Sequence, residues 1–199
     1  ECVVCDLYSN NLLDVITPSF KITFLNKLLI IKQIANDLLC LLNKGFAYID
    51  IKLDNILYKC LNKNKFKVVL GDIGSICVNK QVERGVSTFP PWEYKSNPSR
   101  VMCDDKQIVW GVGILALCLL LNNYKPYPFY WKDLENVTID YVKETIYNYI
   151  KTPQIYNFMI DLPNGSKTRL STLLYHMIRL DPMNRLSLKT TVKYLNLIN

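Results

Sequence analysis

The stretch Tyr48-Ile49-Asp50-Ile51-Lys52-Leu53-Asp54-Asn55 mixes apolar residues with carboxylates, an amine and an amide, just ahead of an apolar run. That run, Ile56 to Cys60, and a second one, Phe66 to Leu70, read as short strands. Between them Leu61-Asn62-Lys63-Asn64-Lys65 has the polar, Asn-containing composition of a hairpin loop. Leu70-Gly71-Asp72-Ile73-Gly74 follows directly. Antiparallel strands return the chain to its starting edge, so the turn carrying Asp50 and the turn carrying Asp72 are expected side by side. Asp50, Asn55 and Asp72 offer oxygen ligands and Lys52 one cation, a set suited to a hard Mg²⁺ ion and a phosphate rather than to zinc. This points to phosphoryl transfer. Any one of these residues is ordinary turn composition; their ordered combination carries the inference.

Upstream, apolar residues recur at helical spacing from Phe20 to Asn43, including Leu25, Leu28, Leu29, Ile34, Leu38 and Leu42, and Gly45 supplies a C-terminal stop. Downstream, Gly71 to Arg100 has no sustained period and contains Gly71, Gly74, Gly85, Pro90, Pro91 and Pro98, which reads as one long ordered loop of the functional kind. Ile108 to Leu121 is the longest apolar run, shorter than the ~20 residues of a bilayer-crossing helix, and is expected as a buried core helix. A Pro- and Tyr-rich connector and three helical patterns, Asp140 to Ile150, Leu170 to Leu180 and Ser187 to Ile198, complete the chain. The fold class is mainly α with a small antiparallel β ribbon, in a single domain over residues 1–199.

The chain has 199 residues and a net charge of +7, with 50% apolar and 21% charged residues, enough to build a core and to exclude disorder as the main state. Its seven cysteines, Cys2, Cys5, Cys40, Cys60, Cys77, Cys103 and Cys118, are odd in number and sit mostly in apolar runs, so they read as buried reduced thiols in a reducing compartment. Cys2 and Cys5 have metal spacing, but no second pair follows and His176 is the only histidine, which argues against a structural zinc site. His176 reads as a packing or surface residue. The run from Tyr124 to Lys132 could stack single-stranded nucleic acid, but the lysines elsewhere are scattered singly, and a moderately basic solvated surface is the simpler account. No basic leader opens the chain, and Glu1 stands where a whole reading frame has methionine, as the later part of a longer chain would show.

In order as well as type, these segments resemble the protein kinase family. Tyr48 to Asn55 is similar to the kinase catalytic loop and Asp72-Ile73-Gly74 to its metal-binding Asp-Phe-Gly. Thr88-Phe89-Pro90-Pro91-Trp92-Glu93 resembles the end of the activation segment, Trp110-Gly111-Val112-Gly113-Ile114 the buried anchoring helix, and Asp181-Pro182-Met183-Asn184-Arg185 the motif whose arginine pairs with the segment's glutamate, here Glu93. Val3 to Tyr8 is similar to the hinge. The resemblance implies the larger, C-terminal lobe of the kinase fold with the N-terminal lobe absent from the chain: 1–16 hinge and first helix, 46–58 catalytic loop, 72–93 activation segment, 94–199 helical subdomain.

The resemblance also implies roles. Asp50 would accept the substrate hydroxyl proton, and Lys52 would meet the γ-phosphate; a lysine there favours serine or threonine substrates over tyrosine. Asn55 and Asp72 would hold Mg²⁺, and Gly74 would permit the turn beyond Asp72. Thr88 would tie the activation segment to Asp50 and Lys52. ATP would meet Cys5 at the gatekeeper position, the backbone of Asp6 and Tyr8, and Leu57 as the floor beneath adenine, with Lys52 and Asp72 at its phosphates. Cys5 is either a reactive thiol near nucleotide or a buried one.

Several positions depart from the family. Its His-Arg is Tyr48-Ile49, which removes the arginine that reads a phosphorylated activation loop; its Phe is Ile73; Trp92 stands where a proline is usual; and Ile108 replaces the aspartate that braces the catalytic loop. These residues contain no Gly-rich loop, strand lysine or partner glutamate, so the chain by itself is expected to bind ATP poorly. The expected function is that of an ATP- and Mg²⁺-dependent serine/threonine kinase acting on a protein substrate. The alternative is an inactive kinase mimic or pseudokinase that binds and inhibits a host kinase. The Asn-, Ile-, Lys- and Tyr-heavy composition resembles that of viral proteins, which implies the host cytoplasm; no membrane or nucleic-acid partner is expected.

Overall fold

Side chains that compete for backbone N–H groups decide where the helices start. The computed structural model describes residues 8, 10–17, 22–62, 65–72, 74, 76–78, 89–93, 103–130, 133 and 136–198. Strand β1 (Asn10–Asn11) runs straight into α1 (Leu12–Val15), where Asn11 Oδ1 accepts from the Leu13 and Asp14 N–H groups and Asp14 accepts from the Asn11 N–H, a reciprocal cap. Helix α2 (Phe24–Asn43) begins where the Thr23 hydroxyl accepts from the Asn26 N–H, later than the expected Phe20 start. It ends before Gly45, which takes the left-handed conformation (φ 86°) that its stop role requires.

Three short strands and a turn follow: β2 (Phe46–Tyr48), a 3₁₀ turn at Leu53–Asn55, then β3 (Ile56–Asn62) and β4 (Lys65–Leu70), the expected hairpin. Ile56 pairs with Leu70 and Tyr58 with Val68, while β1 joins the far side of β3 through Asn10↔Tyr58 and Asn11↔Leu57, making the ribbon three-stranded. Strand β5 (Ile76–Val78) pairs antiparallel with β2 inside what the sequence suggested as loop, with Tyr48 opposite Ile76. A strand this short has no period of its own to read; its partner defines it.

Helix α3 (Asp105–Leu121) is capped at Asp104, whose Oδ1 accepts from the Gln107 N–H, and closes at Asn122 with φ 52°. Every residue from Gln107 to Leu120 is buried, and from Ile108 onward the helix is apolar all round, as burial on every side requires. Helix α2 and the last two helices of the chain pack against it. Among the described residues no helix is long and apolar enough to cross a membrane. Two glycines set its contacts: a Cβ on Gly111 would meet the Ile51 side chain at 3.0 Å, and one on Gly113 would meet Ile178 Cγ2 at 2.5 Å. The connector is core rather than platform at Pro128 and Phe129, both buried; Phe129 lies edge-on to Trp110 at 5.8 Å.

Helix α4 (Ile139–Ile150) starts at Thr138, and α5 (Pro153–Tyr156) and the hairpin β6 (Met159–Asp161) and β7 (Lys167–Arg169) were not legible as elements. Helix α6 (Leu170–Met177) stops short of the expected Leu180, and α7 (Leu188–Leu195), capped by Ser187, stops short of Ile198. Between them a 3₁₀ turn at Pro182–Asn184 delivers Arg185 into the interior. The Arg185 guanidinium makes a two-pronged ion pair with Glu93 (3.0 and 2.9 Å) and donates to the Lys106 carbonyl and twice to the Arg179 carbonyl. All five of its N–H groups are used, the condition under which a buried arginine is tolerated. The expected Arg185–Glu93 partnership is thus present.

The cysteine reading needs correction. Cys77 of β5 and Cys103, just ahead of α3, form a disulfide, because the β2–β5 pairing brings the chain back beside the start of α3. Cys40 and Cys60 are exposed, leaving Cys118 as the buried free thiol among the described residues. Cys2 and Cys5 lie outside those residues, and the thiols therefore say nothing about compartment.

Candidate active site

Both ribbons converge on one corner. Strand β2 leads into Asp50, β3 leaves from Asn55, β4 ends before Asp72, and β5 starts just beyond it. Pairing of Ile56 with Leu70 sets Asn55 beside Gly71, whose N–H donates to the Asn55 carbonyl at 2.7 Å. The Tyr48 hydroxyl donates to the Gly71 carbonyl, also at 2.7 Å. The peptide ahead of Asp72 is therefore fastened on both sides to the loop that carries Asp50.

Within that loop, the Lys52 ammonium lies 2.9 Å from Asp50 Oδ2, and Asn55 Nδ2 donates to the same oxygen and to the Asp50 carbonyl, each at 3.0 Å. Asp50 and Asn55 are buried; Lys52 is partly exposed. Burial alone would lower the Lys52 pKa, but the hydrogen bond and charge of Asp50, with Asp54 and Asp72 adding, raise it above the ordinary lysine value. Lys52 is a fixed cation at neutral pH. Asp72 is exposed and lies close enough for its charge to act on both Lys52 and Tyr48. Tyr48 is fully buried, and burial, then Asp50, then Asp72 push its hydroxyl well above the usual phenol range, so it stays a neutral donor.

The turn differs from expectation in one respect. Asp72 itself takes the left-handed conformation (φ 45°), a backbone state Asp tolerates better than most residues, so the turn does not depend on Gly74 for it. Gly74 instead leaves room, since a Cβ there would sit 3.3 Å from Asp72 Oδ1, and its N–H approaches that oxygen at 3.4 Å.

Asn55 spends its amide N–H groups on Asp50 and keeps its oxygen; Asp72 brings an exposed carboxylate. Both donors are hard oxygens beside a cation that suits phosphate, so the donor set fits Mg²⁺ and a nucleotide polyphosphate. Among the described residues no three His, Cys, Asp or Glu side chains cluster as a metal site by themselves.

Of the residues expected at ATP, Leu57 lies on β3 and packs over Gly71, where a Cβ would meet its Cγ at 3.3 Å. Pairing of Asn11 with Leu57 lays the segment just after Tyr8 along this strand, and Lys67 Nζ is 5.8 Å from the Tyr8 ring centroid. Cys5, Asp6, Ile73 and Thr88 lie outside the described residues. Two contributors were missed by sequence reasoning. Tyr48 counted only as a departure, although a tyrosine two residues before a turn aspartate is placed to donate across a hairpin end; and Ile51 gave no signal of its contact with Gly111.

The protein kinase domain model matches residues 2–195, nearly the whole chain. A search of curated proteins returned no match.

Proposed function

The chain belongs to the protein kinase family, and from that premise we propose that it uses Asp50, Lys52, Asn55 and Asp72 to transfer the γ-phosphoryl group of ATP to a serine or threonine hydroxyl of a protein. The observation that carries this reading is the Asp50 carboxylate held between Lys52 and Asn55 and fastened, through Tyr48 and Gly71, to the turn of Asp72. Asp50 orients the substrate hydroxyl and takes its proton as the oxygen bonds to phosphorus and the bond to ADP breaks. Lys52 lies against the transferred group and offsets its charge; its shortness of reach from Asp50 leaves the nucleophile and the phosphoryl group in one small space. Asn55 and Asp72 would hold Mg²⁺, which supplies neutralisation of the phosphate oxygens. Leu57, packed over Gly71 on β3, would form the floor beneath adenine.

The choice of hydroxyl rests on Lys52. Phosphoamino-acid analysis of a protein mixture incubated with the full-length protein and Mg·ATP is expected to yield phosphoserine and phosphothreonine. Predominant phosphotyrosine would overturn the assignment of Lys52 as the selecting residue.

A further inference from the structure

Away from the Asp50 corner, α4, α5, α6 and the Pro182–Asn184 turn enclose a cleft of about 770 Å³ to which no residue of the catalytic loop contributes. Its floor is aliphatic: Ile146, Ile150 and Ile178 are buried. Its rim is cationic, with Lys143, Lys151 and Arg169 exposed and Arg179 partly so. Lys143 pairs with Asp140 at 3.1 Å, but no described carboxylate pairs with Lys151, Arg169 or Arg179. Asp181, the one acidic residue of the lining, is occupied by the Met183 N–H and the Asn184 amide within its own turn.

The three unpaired cations rest on aromatic rings instead. Lys151 Nζ lies 4.3 Å from the Tyr156 centroid and 5.0 Å from that of Tyr147. Arg169 lies 4.2 Å from Tyr156, and Arg179 lies 4.4 Å from Tyr175 while donating to its hydroxyl at 2.6 Å. Arg179 Nε is buried and has no hydrogen-bond partner. Stacking of this kind holds a guanidinium or ammonium in place without neutralising it. The cleft therefore presents positive charge at fixed positions above an apolar floor, two features that match a ligand both acidic and hydrophobic.

We infer that this cleft docks an acidic peptide segment of a partner protein, with an apolar side chain seated on Ile146, Ile150 and Ile178 and flanking carboxylates on Lys151, Arg169 and Arg179. Nucleic acid fits less well, because a face of each tyrosine ring is already covered by the protein's own cation, where a base would need to stack. The docking site is independent of the catalytic reading. Its occupant would lie beside Arg179, whose carbonyl accepts two of the bonds that hold Arg185 against Glu93.

The test is direct binding to the full-length protein by fluorescence anisotropy, using a labelled peptide Asp-Glu-Phe-Leu-Glu-Asp, its uncharged analogue Asn-Gln-Phe-Leu-Gln-Asn, and a thymidine oligonucleotide of similar length. The acidic peptide is expected to bind roughly tenfold or more tighter than the analogue at low salt, with the advantage shrinking as salt rises. The double substitution Lys151→Glu with Arg169→Glu, both on exposed side chains, is expected to remove that advantage without shifting the unfolding midpoint. Equal binding of the two peptides to the unaltered protein, or tighter binding of the oligonucleotide, would overturn the proposal. Neither comparison depends on kinase activity or on how the variant folds.

Discussion

Tyr48 shows how one departure from a family's pattern can be absorbed by the surrounding chemistry. It is fully buried, its only polar atom is spent on the Gly71 carbonyl, and the peptide it holds precedes the proposed metal ligand Asp72. Tyr48→Phe removes the donor and leaves the acceptor in place, so a loss of about 1–3 kcal/mol is expected in chemical denaturation, together with weaker Mg·ATP binding. His176 gives a second prediction at this scale. Burial first, then the Arg179 charge, lowers its pKa below the ordinary 6.5. The unfolded chain then takes up this proton more readily than the folded one, so the contribution to stability is complete above pH 6.5 and drains as pH falls through the lowered value. Half-buried Asp37 and Asp104, whose pKa values are raised by desolvation, act in the opposite sense at lower pH, which makes the difference between proteins the useful quantity. His176→Gln is expected to flatten the pH dependence of the unfolding midpoint between about pH 7 and pH 5 relative to the native protein.

Among the elements, α3 carries the site by contact rather than by chemistry. A methyl group on Gly113 would fall 2.5 Å from a branched methyl of Ile178, which has no free rotor to withdraw it. Overpacking of about 1–3 kcal/mol should exceed the gain of about 1 kcal/mol that Ala brings to a helix, and Gly113→Ala is expected to lower the unfolding midpoint. Gly111→Ala meets Ile51 less severely, at 3.0 Å, but Ile51 lies between Asp50 and Lys52. Its expected signature is a fall in phosphotransfer that exceeds its change in stability. Elements with a period of their own were readable in the sequence: the apolar face of α2, the unbroken apolar run of α3, and the β3–β4 hairpin with its Asn-Lys loop. The site at the hairpin's end was readable for the same reason, since antiparallel return fixes which residues meet. What escaped reading was short and defined by a partner, namely β5 against β2, the β6–β7 hairpin, and the Cys77–Cys103 bond that depends on the β2–β5 pairing. Thiols in apolar surroundings look alike in sequence whether they pair or not.

For the molecule as a whole, the contacts that bind distant parts together are those of the family's motifs. Glu93, Lys106, Arg179 and Arg185 form one network that links the Phe89–Glu93 stretch to α3 and to the turn before α7, and Trp110 reaches from α3 to the Phe89 carbonyl at 3.2 Å. Such a frame holds the Asp50 loop against α3 through Ile51 and Gly111 and leaves Asp72 exposed. The proposed chemistry turns on Asp50, which would take the substrate hydroxyl proton during phosphoryl transfer. The most direct measurement compares the initial rate of γ-phosphoryl transfer from Mg·ATP to protein by the full-length protein and by its Asp50→Asn variant, with unfolding midpoints recorded for both. A fall of at least about a hundredfold is expected, with the variant still folded. An unchanged rate in a folded Asp50→Asn protein would contradict it.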